Sequence, residues 1–283
     1  MLIFTAMIFE THQLPESLSP YIESIFHFKH FTPDHSIERV VPTGHIFLLF
    51  ELDGYTRNTF DNDTLKPNAT YEKVWISGAH KNYLSISAHE DSEMFVVQFK
   101  PYGAHPFLHV PMENMADKVI HTEELFDDQL ISLHADLHAE ETSLDKFKVA
   151  ESWLLERFEE AKTPPPALIE FYEELQKAPA ANYPLIVENY PNTQKHLIDQ
   201  FKKYVGLTPK VAQRILRFNE ILAKVHKKEM ISWAQIAYQC GFTDQSYFIK
   251  EFKLFSGFNP EEFIDQNYKE EDPPNFFPLD REG

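Results

Sequence analysis

Residues 231–263, ISWAQIAYQCGFTDQSYFIKEFKLFSGFNPEEF, contain the most regular pattern in the chain. Ala237 is a small residue where two helices can cross, Gly241 supplies a turn, and Asp244 precedes the next apolar stretch as an N-cap would. The segment therefore predicts two short helices around an aromatic core made of Phe242, Phe248 and Phe252.

The same pattern occurs earlier in the chain, at an offset of 51 residues. Corresponding positions are Leu185 and Ile236, Leu197 and Phe248, Phe201 and Phe252, Lys202 and Lys253, Gly206 and Gly257, and Pro209 and Pro260. Self-similarity at a fixed offset indicates one supersecondary unit used twice. Each copy predicts a helix, a turn, a second helix, and then a Gly-x-x-Pro that ends one helix and begins the next.

Between the copies, TPKVAQRILRFNEILAKVHKK (208–228) predicts one long helix. Its apolar residues are spaced by three and four and form a single stripe: Val211, Ile215, Phe218, Leu222 and Val225. About 20 residues span roughly 30 Å, close to the ~34 Å of one turn of B-DNA. Such a helix could place both second helices in successive major grooves.

The second copy resembles the second helix-turn-helix of the AraC/XylS family, with its IA…GF.D.SYF…FK…G..P pattern. The residues that carry the likeness are Ala237, Gly241, Phe242, Asp244, Phe248, Phe252, Gly257 and Pro260. The resemblance implies an all-α tandem helix-turn-helix domain that binds double-stranded DNA. It implies DNA contacts from exposed residues of each second helix: Gln194, Lys195 and Lys202, then Gln245, Ser246, Lys250 and Lys253.

The first copy departs from the family pattern. Ile186 stands at the small-residue position and Tyr190 at the turn, and Asp199 stands where the second copy has Lys250. A carboxylate that faces phosphates repels them. The first unit is expected to fold, whereas its contribution to DNA binding is open.

The N-terminal part predicts a mixed α+β domain. Short alternating runs between Val40 and Lys100 indicate a small antiparallel sheet or barrel, and helical spacings follow Pro111. Thr163-Pro-Pro-Pro166 marks the boundary, so we predict an N-terminal sensor or dimerisation domain (1–162), the DNA-binding domain (167–268) and a loose polar tail (269–283). The motifs VVPTGH (40–45), WISGAH (75–80) and FKPYGA (99–104) resemble domains that precede AraC-type modules in uncharacterised regulators.

The charge is distributed unevenly along the chain. The net charge of −18 divides into −17 for residues 1–183, +3 for 184–263 and −4 for the remainder. One basic segment in an acidic chain is typical of a nucleic-acid module joined to another domain.

Other classes of function have weaker support. A single cysteine, Cys240, excludes an internal disulfide and a multi-cysteine zinc site. His45, His80 and His89 lie in the strand-rich region but lack a metal-binding spacing, so we expect no metal, no cofactor and no enzymatic activity. Without an apolar span or signal peptide the expected location is the cytoplasm. A small-molecule effector and a homodimer remain open, and the alternatives are a scaffold that binds DNA weakly and an enzymatic N-terminal domain.

Overall fold

The computed structural model describes residues 7–126, 128–225, 232–265 and 275–279. The predicted fold class is confirmed: a β-rich domain with helices is followed by an all-α region. His226, Lys227 and Lys228, placed by the sequence in the long central helix, lie outside the described residues.

The N-terminal strands form two antiparallel sheets. Their bounds are β1 Ile8–Thr11, β2 Ile22–Phe31, β3 Ile37–Val40, β4 Ile46–Glu51, β5 Arg57–Phe60, β6 Pro67–Tyr71, β7 Val74–Ser77, β8 Leu84–Ser87, β9 Ser92–Phe99 and β10 Val119–His121. One sheet has the order β1-β2-β9-β4-β7-β10. The other contains β3-β8-β5-β6 and gains an eleventh strand at its β3 edge.

The apolar run at Ile46–Phe50 is explained by burial on both faces of the larger sheet. Phe47 and Leu49 line a cavity between the two sheets. Leu48 and Phe50 point to the opposite face and are fully buried. A strand covered on both sides loses the apolar-polar alternation of a half-exposed strand.

Helices cover the outer face of that sheet. They are α1 His105–Leu108, α2 Gln129–Ala139 and α3 Ser143–Arg157. The helical spacing from Leu130 to Leu154 is confirmed, because its apolar residues are buried on one side. Phe147 of α3 packs against Phe95 of β9 with ring centroids 5.6 Å apart.

The C-terminal region consists of seven helices in the described residues. They are α4 Pro166–Lys177, α5 Tyr183–Glu188, α6 Gln194–Val205, α7 Pro209–Val225, α8 Trp233–Gln239, α9 Gln245–Ser256 and α10 Pro260–Asp265. The predicted stripe on α7 is confirmed, with Ile215, Phe218, Leu222 and Val225 buried and Val211 partly buried.

The first part of this region packs directly on the N-terminal domain. Tyr172 of α4 contacts Tyr102, with ring centroids 5.7 Å apart, and Tyr204 of α6 contacts His105 at 4.9 Å. At Gly206, a Cβ atom would lie 2.8 Å from the carbonyl oxygen of Met112. The apolar core is therefore continuous from the larger sheet to α6 and α7.

The expectation of a loose tail is wrong for residues 275–279. Phe276–Pro278 form β11, which pairs antiparallel with β3. Phe277 is 1% exposed, so apolar burial fixes a segment whose surrounding residues are polar. Pro278 is tolerated because β11 is an edge strand and the position opposite Glu38 requires no N–H donor.

We expect Gly78→Ala to destabilise the fold far more than Gly54→Ala. A Cβ at Gly78 would lie 1.8 Å from the main-chain oxygen of Met115, whereas at Gly54 nothing lies within 4 Å and only the positive φ opposes alanine. The expected losses of unfolding free energy are about 3 kcal/mol at Gly78 and about 1 kcal/mol at Gly54. Urea denaturation of both variants tests this, and equal losses would contradict the close approach.

Candidate nucleic-acid interface

The second helix-turn-helix unit, α8 and α9, has the local geometry that its sequence predicts. Ala237 is buried at the helix crossing, and Gly241 forms the turn with φ of +78°. The carboxylate of Asp244 accepts hydrogen bonds from the main-chain N–H groups of Ser246 (2.7 Å) and Tyr247 (3.1 Å), which caps α9. The aromatic core is formed by Phe242, Phe248 and Phe252.

The ends of α9 also follow the sequence pattern. Gly257 ends the helix in the left-handed conformation, with φ of +76°. Pro260 then begins α10. All the positions that carry the family resemblance therefore have a structural role in this unit.

The first unit, α5 and α6, reaches the same form with different residues. Thr193 caps α6 by accepting a hydrogen bond from the main-chain N–H of His196. Tyr190, at the turn position, is buried and packs edge-on against Phe171 of α4 with a centroid distance of 5.7 Å. Ile186 is buried at the helix crossing. The departures from the family pattern thus anchor this unit to α4.

One correspondence of the sequence repeat does not extend to burial. Ile236 is 1% exposed in the second unit, whereas Leu185, its counterpart, is 60% exposed. In the first unit, the adjacent Ile186 takes the core position. The first unit thus buries only Ile186 at this pair of positions, where the second unit buries both Ile236 and Ala237.

All seven side chains implied in DNA binding are exposed. They are Gln194, Lys195 and Lys202 on α6, and Gln245, Ser246, Lys250 and Lys253 on α9. The glutamines, Lys195 and Ser246 lie in the first turn of their helices, the part of a recognition helix that reaches base edges. Lys202 and Lys253 lie in the last turns, where a cation also stabilises the helix dipole.

The two units differ in charge at equivalent exposed positions. Asp199 is exposed on α6, and Lys250 is exposed on α9. The carboxylate of Asp199 repels DNA phosphates, whereas the ammonium of Lys250 attracts them. The exposed faces thus favour stronger electrostatic attraction at the second unit.

Two adjacent residues of α7 fix the positions of the units, and the sequence analysis did not identify them. The Gln213 amide donates to the carbonyl oxygens of Pro179 (3.1 Å) and Ala181 (2.9 Å), before α5. Arg214 donates from Nε and Nη2 to both carboxylate oxygens of Glu251 on α9, each at 2.6 Å. This hydrogen bonding raises the pKa of Arg214 above its ordinary value. A local signal for these roles is absent because both partners are distant in sequence.

The N-terminal domain lies beside the side of α9 that carries Lys250 and Lys253. Lys250, Lys253 and Leu254 share a surface cleft with Asn62, Asn82 and Tyr83, which belong to the β5–β6 and β7–β8 loops. The Arg39 guanidinium lies between the rings of Tyr83 and Phe258, 4.5 Å from each centroid. Burial lowers the pKa of Arg39 from its ordinary value.

A second candidate site is the cavity between the sheets, with a volume of about 280 Å³. Its wall is mainly apolar, from residues that include Phe26, Phe47, Leu49, Trp75, Met94 and Val96. Arg57 lies at one side and forms ion pairs with Glu51 (2.8 Å) and Asp53 (2.6 Å). Burial raises the pKa of Glu51 to about 7, against the opposing effect of Arg57.

Two polar atoms at this cavity are buried without a hydrogen-bond partner among the described residues. They are Nη1 of Arg57 and Nδ1 of His45. Burial lowers the pKa of His45 to about 4, so its ring is neutral at pH 7. A buried unpaired donor or acceptor costs free energy unless a ligand or water satisfies it.

The histidines of the strand region, His45, His80 and His89, line this cavity. His80 is hydrogen-bonded to Ser77 (3.1 Å) and His89 to Ser87 (3.0 Å). Across the described ranges, no cluster of three or more His, Cys, Asp and Glu side chains is suited to a metal ion. Cys240 is fully buried behind the turn of the second unit. None of the helices in the described parts is both long and apolar enough to cross a membrane.

Two protein families match separate parts of the chain. Residues 10–121 match a domain of unknown function (DUF6597), and residues 192–266 match a helix-turn-helix domain. The second match begins just before α6 and continues through α10, so it covers the second helix of the first unit and the whole second unit. A search of curated proteins gives no match.

Solved structures with a related arrangement are distant. A structure of ToxT from Vibrio cholerae is 13% identical, with 91% of this chain and 97% of that chain covered and a TM-score of 0.44. Unsaturated fatty acid-bound ToxT from Vibrio cholerae is 15% identical, with 86% and 96% covered and a TM-score of 0.45. The xylose-binding transcription activator XylR is 17% identical, with 44% and 39% covered and a TM-score of 0.33. These likenesses are too distant to assign a ligand.

The class of the C-terminal domain follows from its match and its geometry. The match, the two capped second helices and the shared linking helix agree with the motif of residues 231–263. The chain therefore carries an AraC-type helix-turn-helix domain at its C-terminal end.

Proposed function

We propose that the protein is a sequence-specific regulator of transcription that acts in the cytoplasm and uses α9 as its main reading helix. The observation that carries this proposal is the exposed row Gln245, Ser246 and Lys250 on a helix fixed by Asp244 and Glu251. Glutamine can read adenine, and lysine can read guanine or bind phosphate.

The first unit has a more limited role in this proposal. Gln194 and Lys195 are placed to contact DNA, while Asp199 weakens attraction on the same helix. Because α6 also packs on the N-terminal domain through Tyr204, the first unit both contacts DNA and holds the second unit in place beside that domain.

A scaffold that has lost DNA binding is the second candidate, favoured by Asp199 and the acidity of the chain. The two functions differ in a direct measurement. A DNA-binding regulator selects related sequences from random duplex DNA, and its affinity falls as salt rises because counterions are released. A scaffold selects no sequence.

We further propose that the cavity between the sheets binds a small apolar effector with one neutral hydrogen-bond acceptor. The apolar wall accommodates a hydrocarbon body, and Nη1 of Arg57 provides a free donor. The charge of Arg57 is already neutralised by Glu51 and Asp53. A carbonyl or hydroxyl group therefore suits the site better than a carboxylate, whose burial beside two acids costs free energy.

Lys250→Ala should weaken duplex binding, and Asp199→Lys should strengthen it. Loss of Lys250 is expected to cost about 1–3 kcal/mol if it contacts a base, or to lower the salt slope by about one if it contacts phosphate. Fluorescence anisotropy with a selected duplex, at several salt concentrations, measures both effects.

Two control variants separate local effects from net charge. Lys177 is a strongly exposed lysine on α4, and Lys177→Ala should leave affinity unchanged. Asp199→Asn removes the repulsion without adding a cation, so its gain should be smaller than that of Asp199→Lys. Weaker binding by both Asp199 variants would show that the carboxylate takes part in recognition.

The fluorescence of Trp75, which lies in the cavity wall, should report effector binding. We expect 2-decanone to bind about tenfold more tightly than decanoate, because the ketone satisfies Arg57 without adding a buried charge. Val96→Phe should abolish the response by filling the cavity, whereas Val110→Phe, outside it, should not. Tighter binding of decanoate would contradict the proposed ligand class.

A further inference from the structure

We propose that residues 275–279 act as a strap that holds the second helix-turn-helix unit against the N-terminal domain and restrains DNA binding. The strap lies at the edge of the smaller sheet, far in sequence from its partner β3. Main-chain hydrogen bonds fasten both its ends, from Val41 N–H to the Asn275 carbonyl (3.0 Å) and from Leu279 N–H to the Ile37 carbonyl (2.9 Å).

The two faces of the strap contact different parts of the molecule. Successive side chains of a strand point in opposite directions. Phe276 lines the cavity between the sheets, while Phe277 packs against Phe263 of α10 with ring centroids 5.0 Å apart. A change in the cavity that moves Phe276 must therefore disturb the contact of Phe277 with the DNA-binding domain.

The attachment beneath the strap is small and centred on β3. Arg39 pairs with Phe277 in the sheet and inserts its guanidinium between Tyr83 and Phe258. Further along, the Asn219 amide of α7 donates to the Pro42 carbonyl at 2.9 Å. The first unit, by contrast, is joined to the N-terminal domain through Phe201, which stacks on Tyr172 beside Tyr102, and through Tyr204, which contacts His105.

In the arrangement that the strap maintains, loops of the N-terminal domain lie close to the exposed face of the recognition helix α9. Lys250 and Lys253 face the same cleft as Asn62, Asn82 and Tyr83. DNA that follows this side of α9 would meet those loops, because a recognition helix must enter a major groove about 12 Å wide. Release of the strap lets the second unit move away from the domain. The link from the cavity to the strap rests on the proposed effector function, while the restraint of DNA binding does not.

A reversible disulfide tests the restraint within one protein. Glu38 and Pro278 face each other at a position without mutual main-chain hydrogen bonds, where Cα atoms are about 4.5 Å apart, close enough for a disulfide. The variant carries Glu38→Cys and Pro278→Cys, and the native Cys240 is fully buried. Oxidised protein should bind duplex DNA about tenfold more weakly than the same protein after reduction, since the lock depletes the competent state.

Substitution of Phe277, which packs against Phe263 of α10, should weaken the strap and so have the opposite effect on DNA affinity. Phe277→Ser should increase duplex affinity, Phe277→Leu should remain close to the wild type, and Leu144→Ser, on an exposed leucine of α3, serves as the surface control. Equal DNA affinities of the oxidised and reduced protein, or of Phe277→Ser and the wild type, would contradict the proposal that the strap restrains DNA binding.

Hydrogen exchange keeps this test separate from the proposed function. Phe277→Ser should accelerate exchange in β3, α9 and α10 while leaving α6 protected. If no form binds DNA, the proposed function fails, and the strap is then judged on exchange alone. Unchanged exchange in β3 and α10 would overturn it.

Discussion

The packing of α7 between two helix-turn-helix units is the constraint on which the remaining structure depends. Its buried residues Ile215, Phe218 and Leu222 form a single face, and its 17 residues extend about 25 Å. Gln213 and Arg214 then secure one unit each through hydrogen bonds. Rotation of α9 relative to α7 would break the contact of Arg214 with Glu251, and displacement of the segment before α5 would break the hydrogen bonds of Gln213.

The attachments of the two units to the N-terminal domain are unequal. The first unit is joined to that domain through Tyr204, which contacts His105, and through Phe201, which stacks on Tyr172 of α4. The second is held through Arg39, the Asn219 hydrogen bond and Phe277. The proposed restraint therefore acts on the second unit, which carries the exposed Lys250 where the first unit carries the exposed Asp199.

Local features of the interface could be predicted from sequence because their causes are local. Asp244 caps the helix that begins beside it, Gly241 forms its turn, and the α7 stripe is buried as its spacing requires. The exposure of Leu185 could not be predicted, because the repeat aligns it with Ile236, which is buried.

Long-range features had no such signal. The pairing of β11 with β3 joins segments more than 230 residues apart, and the short apolar stretch at Phe277 stands between KEEDPP (269–274) and DREG (280–283). The cavity likewise gathers Arg57, His45 and Phe276 from separate strands and loops. Their proximity follows from the packing of two sheets, which alternation along a single strand does not determine.

The proposed restraint requires that the second unit moves away from the N-terminal domain when it binds DNA. Spin labels on Asn82→Cys and Gln235→Cys, both at exposed positions, allow the separation to be measured by pulsed electron paramagnetic resonance. We expect one short distance in the free protein and a longer one when saturating duplex DNA is added. An unchanged distance distribution in the fully DNA-bound protein would contradict it.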